Sequence, residues 1–378
     1  MKPSIPIEKS EAKVNSRRRA LGTIAGASLL GSTRTFGNES EPSPAGAAKP
    51  VTLRLASSWP ANMPVLGESM REFAKLVAQL SDNTLHIDVV SSDQHGQPLS
   101  TFNLVRSGEY DIANTPSYYH TKEEPDALYL TTMPFGMTAT ELAAFYQHGG
   151  GLALIEELYN RHGLSVTLGG NTGMQMGGWF RKPIHSVADL RGLKMRIPGA
   201  GGKVLEKLGV ETVTLPAEDL YPALVSGDID AAEFVGPSID LALGLHRSAP
   251  YYYTGWHEPG TELFYLFNSE AMAKLPPASV AILRTAAELA GSRTTSGFNH
   301  ANARAWGRIR LEYPNIRVTS FPPEVIDQLR TTNEALVREE MARSEYCERT
   351  LGAMFDYIKT VRRWTEIGDW SYLANTTR

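Results

Sequence analysis

Asp189-Leu190-Arg191-Gly192-Leu193-Lys194-Met195-Arg196-Ile197-Pro198 decides the fold, because it reads as a turn feeding a short strand that Pro198 ends. A helix from Gly202 to Leu208 follows and Gly209 stops it; Val213 to Pro216 is a strand, Glu218 to Gly227 a helix, and Ile229 to Pro237 a strand running into a loop. Upstream the grammar is the same. Val51 to Ala56 alternates as a strand, Gly67 to Leu80 carries Met70, Phe73, Ala74, Val77 and Leu80 at helical spacing, and Leu85 to Val90 returns to strand alternation. Leu99 to Ser107 is a helix candidate, and a strand beginning at Tyr110 stops at Pro116. Leu152 to His162 is helical, Leu164 to Leu168 is a strand, and Gly169-Gly170-Asn171-Thr172-Gly173 is a glycine-rich turn. Alternating elements of this kind predict an α/β protein whose sheets are covered by helices, with ligand contacts at strand ends.

Downstream, Tyr251-Tyr252-Tyr253-Thr254-Gly255-Trp256-His257-Glu258-Pro259-Gly260 is an aromatic cluster, and Leu263 to Asn268 is a strand. Pro277 to Leu311 reads as one long or broken helix, and Pro323 to Tyr346 and Leu351 to Ile367 are helical by pattern. The long helices suit domain braces or a dimer surface.

The 378 residues are 42% hydrophobic, enough for two domains with separate cores. With 37 Lys+Arg against 41 Asp+Glu there is no basic excess to attract a nucleic-acid backbone. A single cysteine, Cys347, excludes an internal disulfide framework and a cysteine-based zinc cluster. The N-terminus reads as an address: Ser16-Arg17-Arg18-Arg19-Ala20-Leu21 is a twin-arginine pattern before a modest apolar run ending at Leu30. A Ser/Pro/Gly/Ala spacer from Glu39 to Lys49 follows, with Ala45-Gly46-Ala47-Ala48 as a small-residue cleavage region. A disordered basic tail on a cytoplasmic protein is the competing account of that stretch. No later segment approaches the roughly 20 apolar residues that span a bilayer.

Enzyme motifs are absent: there is no Gly-x-Ser-x-Gly elbow and no His-Glu-x-x-His helix. Gly199-Ala200-Gly201-Gly202 precedes a helix but lacks a Walker lysine, and a tight turn explains it as well as a phosphate cradle does. More informative is a polar set near strand ends: Gln175, Arg196, Glu233 and Glu258. The planar guanidinium of Arg196 can clamp a carboxylate through two parallel charge-assisted bonds, although a surface salt bridge would account for it too. Gln175, Glu233 and Glu258 offer hard oxygens that a cation accepts, while any one of them alone is more often solvated or hydrogen-bonded. Trp59, Tyr118 and Tyr119 follow strands and could wall a small pocket, with core packing as the competing account.

The stretch Gly170-Asn171-Thr172-Gly173-Met174-Gln175-Met176-Gly177-Gly178-Trp179-Phe180, taken with Asp189 to Gly199, Ala232-Glu233-Phe234-Val235-Gly236-Pro237 and Tyr252 to Gly260, resembles solute receptors of tripartite ATP-independent periplasmic (TRAP) transporters, in their α-keto acid branch. The resemblance covers nearly all of the mature chain. It implies a two-domain periplasmic solute-binding fold with mixed sheets, an interdomain ligand cleft and long domain-spanning helices. The implied division is a signal and spacer over 1–48, a first domain of 49–173 with 262–301, and a second of 174–261 with 302–378. By motif, Arg196 grips the substrate carboxylate; Gln175, Tyr118, Tyr119, Trp59 and Asn171 are expected beside the substrate. Gln175, Glu233, Glu258 and the main-chain carbonyl of Phe234 surround a sodium or calcium ion bridging protein and ligand. Two positions depart from the branch: Phe234 stands where tryptophan is expected, and Gly96-Gln97-Pro98 replaces a glycine-glutamate pair. The implied function is capture of a small 2-oxo or 2-hydroxy monocarboxylate for the TRAP membrane subunits, after export to the periplasm by the twin-arginine route, with a homodimer through the C-terminal helices. A sensing receptor on the same fold, or a metal-assisted oxo-acid enzyme, are the alternatives.

Overall fold

The structure is a computed structural model that describes residues 50–376; the twin-arginine pattern, the apolar run and the spacer lie outside the described residues. Among the described residues, eleven strands form two mixed sheets. They are β1 (Val51–Ser57), β2 (Leu85–Val90), β3 (Ile112–Thr115), β4 (Leu164–Asn171), β5 (Gly178–Phe180), β6 (Lys194–Arg196), β7 (Glu211–Val213), β8 (Ala231–Ala232), β9 (Tyr251–Tyr253), β10 (Glu262–Asn268) and β11 (Arg317–Thr319). The first sheet runs β2-β1-β3-β10-β4 and the second β11-β9-β5-β8-β6-β7. In the first, β1 is parallel to β2 and β3, with Leu55 opposite Ile112, whereas β10 is antiparallel to both its neighbours. In the second, β6 is parallel to β7 and β8 while β5 is antiparallel to β8 and β9.

Each sheet has helices packed on it, as the apolar stripes require. Leu53 and Leu55 of β1 pack with Met70, Phe73 and Val77 of the Leu66–Leu80 helix, and Tyr265 and Phe267 of β10 join them. In the second sheet Met195, Ile197 and Tyr253 pack with Val204, Val325 and Leu329. No helix among the described residues is long and apolar enough to cross a membrane.

The chain passes from the first sheet to the second between Asn171 and Gly178, returns between Tyr253 and Glu262, and crosses again along one unbroken helix, Pro277–Glu312. That helix buries Leu283, Ala286 and Ala287 against the first sheet's core, and Phe298 and Ile309 in a cluster with Trp179 and Ile239. The Pro323–Arg343 helix follows on the second sheet, and the Glu345–Thr365 helix returns Tyr346, Leu351 and Met354 to the first sheet's core.

Several local expectations need correction. Gly169 to Asn171 belong to β4 rather than to a turn, because a smooth surface is needed there: a Cβ on Gly170, whose φ is +102°, would sit 2.6 Å from the Gly291 carbonyl of the crossing helix. The helix expected from Gly202 starts at Gly199, so the Gly199-Ala200-Gly201-Gly202 run is its first turn. A Cβ at Gly201 would meet His257 at 3.1 Å, and Ala200 is buried in the first sheet's core, so close packing accounts for the glycines. Tyr251–Tyr253, read only as the start of an aromatic cluster, is a strand, and Ala139–His148 is a helix that its mixed sequence concealed.

Candidate functional site

Arg196 ends β6 and is 1% exposed. Three main-chain and side-chain acceptors fix its guanidinium: Nε donates to the Leu215 carbonyl at 3.1 Å, Nη1 to the Glu233 carbonyl at 2.6 Å, and Nη2 to Tyr119 Oη at 3.4 Å. The Phe234 ring lies beneath it, 4.9 Å from Cζ, a cation–π contact. With five N–H donors, the fork keeps hydrogen-bonding capacity beyond these three partners.

Two buried carboxylates stand close by. Glu233 follows β8 and is 1% exposed; its Oε2 is 3.4 Å from Arg196 Nη1, yet burial outweighs that charge and raises its pKa well above the ordinary range. Glu258 is 2% exposed, and burial, reinforced by repulsion from Glu233, pushes its carboxyl up to about 7. Gln175 is held beside Glu258 by a backbone bond from its own N–H to the Glu258 carbonyl at 3.0 Å. Its amide Nε2 donates to Thr172 Oγ1 at 3.0 Å, leaving Oε1 buried and without a hydrogen-bond partner. Glu233 Oε1 is likewise buried without one.

The aromatic residues close the wall. Trp59, Tyr118 and Tyr119 line a cavity together with Leu66, Thr172, Gln175, Arg196, Phe234, Val235, Thr261 and Leu263. Its volume is about 10 Å³, room for about one water, so the lining residues close tightly on one another. Trp59 is fixed by an Nε1–H bond to Asn114 Oδ1 at 2.9 Å, and Tyr118 meets Tyr119 edge to face at 5.3 Å. Burial raises the pKa of both tyrosines, so each keeps its phenolic proton.

Asn171 is placed differently from the other expected residues. Its Nδ2 donates to Glu262 and its Oδ1 accepts from the N–H groups of Gly173 and Thr261, each at 2.9 Å, so its amide is committed to the turn and does not line this cavity. Three contributors were not singled out from sequence. Thr172 and Thr261 bond Gln175 and Glu258, and His257, fully buried and kept neutral by that burial, has Nε2 3.4 Å from Glu233 Oε1. Thr172 and His257 lie within the Gly170–Phe180 and Tyr252–Gly260 motifs and Thr261 directly follows the second, which is the signal that could have found them.

The donor set fits a hard cation. Two carboxylates and an amide oxygen gather in one buried place with a single guanidinium as counter-charge, and two of their oxygens accept no hydrogen bond, which is the chemistry sodium and calcium accept. Among the described residues no cluster of three or more His, Cys, Asp or Glu side chains is arranged to hold a metal, so the amide oxygen of Gln175 and a main-chain carbonyl would have to complete the set.

The family model for bacterial extracellular solute-binding protein, family 7, matches residues 55–344. The monocarboxylate 2-oxoacid-binding periplasmic protein of Nostoc sp. (strain PCC 7120) is 33% identical over 323 residues, 85% of this chain and 88% of that protein. A TRAP periplasmic solute-binding protein from Pseudoalteromonas atlantica, crystallised with sodium and pyruvate, is 42% identical with a TM-score of 0.85, covering 86% of this chain and 99% of its own. One from Colwellia psychrerythraea, crystallised with calcium and pyruvate, is 41% identical with a TM-score of 0.85, covering 86% and 100%. These relatives are receptors rather than catalysts. The two-sheet architecture, the buried arginine in its small cavity and a family match over most of the described residues agree: the chain belongs to the bacterial extracellular solute-binding proteins of family 7, the solute receptors of TRAP transporters.

Proposed function

We propose that the protein receives a small 2-oxo or 2-hydroxy monocarboxylate, pyruvate-like or lactate-like, through Arg196 and a bridging sodium or calcium ion, and delivers it to TRAP membrane subunits. The observation that carries this reading is the fully buried guanidinium of Arg196, 3.4 Å from the buried Glu233 carboxylate and lining one small cavity with Gln175, whose amide oxygen is buried without a hydrogen-bond partner. The ligands named for the Pseudoalteromonas and Colwellia proteins support it.

Arg196 supplies a fixed cationic fork, because Leu215, Glu233 and Tyr119 hold it before a ligand arrives. Gln175, Glu233, Glu258 and the Phe234 carbonyl would hold the cation, which when bound offers a positive centre to a carboxylate oxygen and an adjacent oxo or hydroxyl oxygen together. Tyr118, Tyr119 and Trp59 cover the remaining wall and exclude water, which strengthens the charge-assisted bonds inside. Asn171 acts one step back, ordering the turn that carries Thr172 and Gln175.

The reading includes two lobes, 49–173 with 262–301 and 174–261 with 302–378, that close on the ligand. The distribution of strands supports it, since the first sheet draws on 51–171 and 262–268 and the second on 178–253 and 317–319. Export by the twin-arginine route and a homodimer through the C-terminal helices complete it; exposed Trp364, Ile367, Trp370 and Tyr372 support the dimer.

Calorimetry with pyruvate, lactate and acetate, with and without sodium or calcium, tests the proposal. Pyruvate and lactate are expected to bind in a cation-dependent manner and to be released unaltered, with acetate much weaker. Equal affinity for acetate, or binding indifferent to every cation, would sink it.

A further inference from the structure

The two loop segments that join the sheets, residues 172–177 and 254–261, carry two of the cation donors named above, Gln175 and Glu258, and they are tied to each other. Thr172 N–H donates to the Thr261 carbonyl at 3.0 Å and Gln175 N–H to the Glu258 carbonyl at 3.0 Å. The hydroxyls of the same two threonines reach the donor side chains. Gln175 Nε2 donates to Thr172 Oγ1 at 3.0 Å, and Thr261 Oγ1 donates to Glu258 Oε2 at 2.8 Å. Both threonines are buried, at 3% and 1% exposure, and both line the cavity.

A glutamine amide presents an acceptor at one end and two donors at the other, so its usefulness to a cation depends on which end faces the ion. Thr172 Oγ1 has its own proton directed to the Gly173 carbonyl at 3.4 Å and is therefore an acceptor toward Gln175. That arrangement holds Nε2 and leaves Oε1 as the partnerless end. At Glu258 the Thr261 hydroxyl engages one carboxylate oxygen and so fixes the plane of the group. Thr172 directly follows β4 and Thr261 directly precedes β10, so both hydroxyls come from the margin of the first sheet.

We infer that Thr172 and Thr261 are positioning residues for the cation: their hydroxyls set which oxygens of Gln175 and Glu258 face the ion, and thereby make cation affinity answer to the geometry of the interlobe crossing. The inference rests on the proposed cation site and adds the groups that orient it. Partners of metal ligands commonly carry a tenfold to about hundredfold share of metal affinity.

Thr172→Val and Thr261→Val remove each hydroxyl at nearly constant volume. Sodium alone and calcium alone are titrated against each variant by thermal shift, without any organic acid. Each valine variant is expected to lose about tenfold or more in cation affinity, and Thr172→Ser and Thr261→Ser to return to the parent value. If a valine variant does not fold, the alanine variant at the same position serves with the same serine rescue. Cation affinities equal to the parent in the valine variants overturn the inference, as does a loss that serine shares with valine. A parent chain that binds pyruvate but neither ion overturns the cation site itself, and one that binds an ion yet ignores pyruvate counts against the ligand reading alone.

Discussion

Arg196 is the residue to which the proposed reading assigns the ligand carboxylate, and its fork is desolvated and held at three points. Arg196→Lys keeps the charge but loses the planar fork and most of those bonds, and is expected to weaken pyruvate binding by about a hundredfold, two orders being about 2.7 kcal/mol, read by calorimetry. The position of this residue was legible in the sequence, since the stretch before Pro198 reads as a short strand and β6 ends at Arg196. What the sequence could not convey was commitment: Asn171 has the right chemistry and the right neighbours, but its amide is spent on Glu262, Gly173 and Thr261. Glu262 gives a second expectation. It is 3% exposed, and burial raises its pKa from 4.5 to about 7 although Asn171 and Gly170 donate to it. The folded state therefore holds this proton more tightly than the unfolded chain, and the group's contribution to stability is full below pH 4.5 and is lost as pH rises to about 7. Glu262→Gln should flatten the fall in stability across that window by up to about 3 kcal/mol, measured by denaturant melts from pH 4 to about 8.

At the scale of elements, the strands and helices that carry apolar alternation were readable, and those set by contact were not. The Leu66–Leu80 helix and β10 bury continuous apolar faces, so periodicity exposes them; β8 is two residues long and β5 three, and their pairing depends on partners distant in the chain. Glycine spacing carried meaning that only the assembled structure discloses. Gly255 lies so close to the opposite crossing segment that a Cβ would stand 1.8 Å from the Gln175 carbonyl, a separation no side chain tolerates. Gly255→Ala must push the two segments apart, with an expected cost of about 2–3 kcal/mol and loss of both cation and pyruvate binding. Thermal melts and calorimetry on the same preparation check this, and unchanged binding would mean the segments are free to separate.

Across the whole molecule, two sheets share one small cavity, and residues of both line it: Trp59, Tyr118 and Leu263 from the first, Arg196, Phe234 and Val235 from the second. Ligand and cation together are therefore expected to compact the protein. Small-angle scattering should show a smaller radius of gyration with pyruvate plus calcium than with a chelator, while Arg196→Ala stays extended under both conditions. Mass action adds a rise in melting temperature that grows with ligand concentration above the dissociation constant. The location of Gln175 and Glu258 on the joining segments has an evolutionary corollary. In a receptor whose hinge and pocket are built from separate residues, one can drift while the other stays; on the proposed reading the same short stretches serve both here, so a change of cargo is to be sought at the surrounding aromatic wall of Phe234, Tyr118 and Trp59.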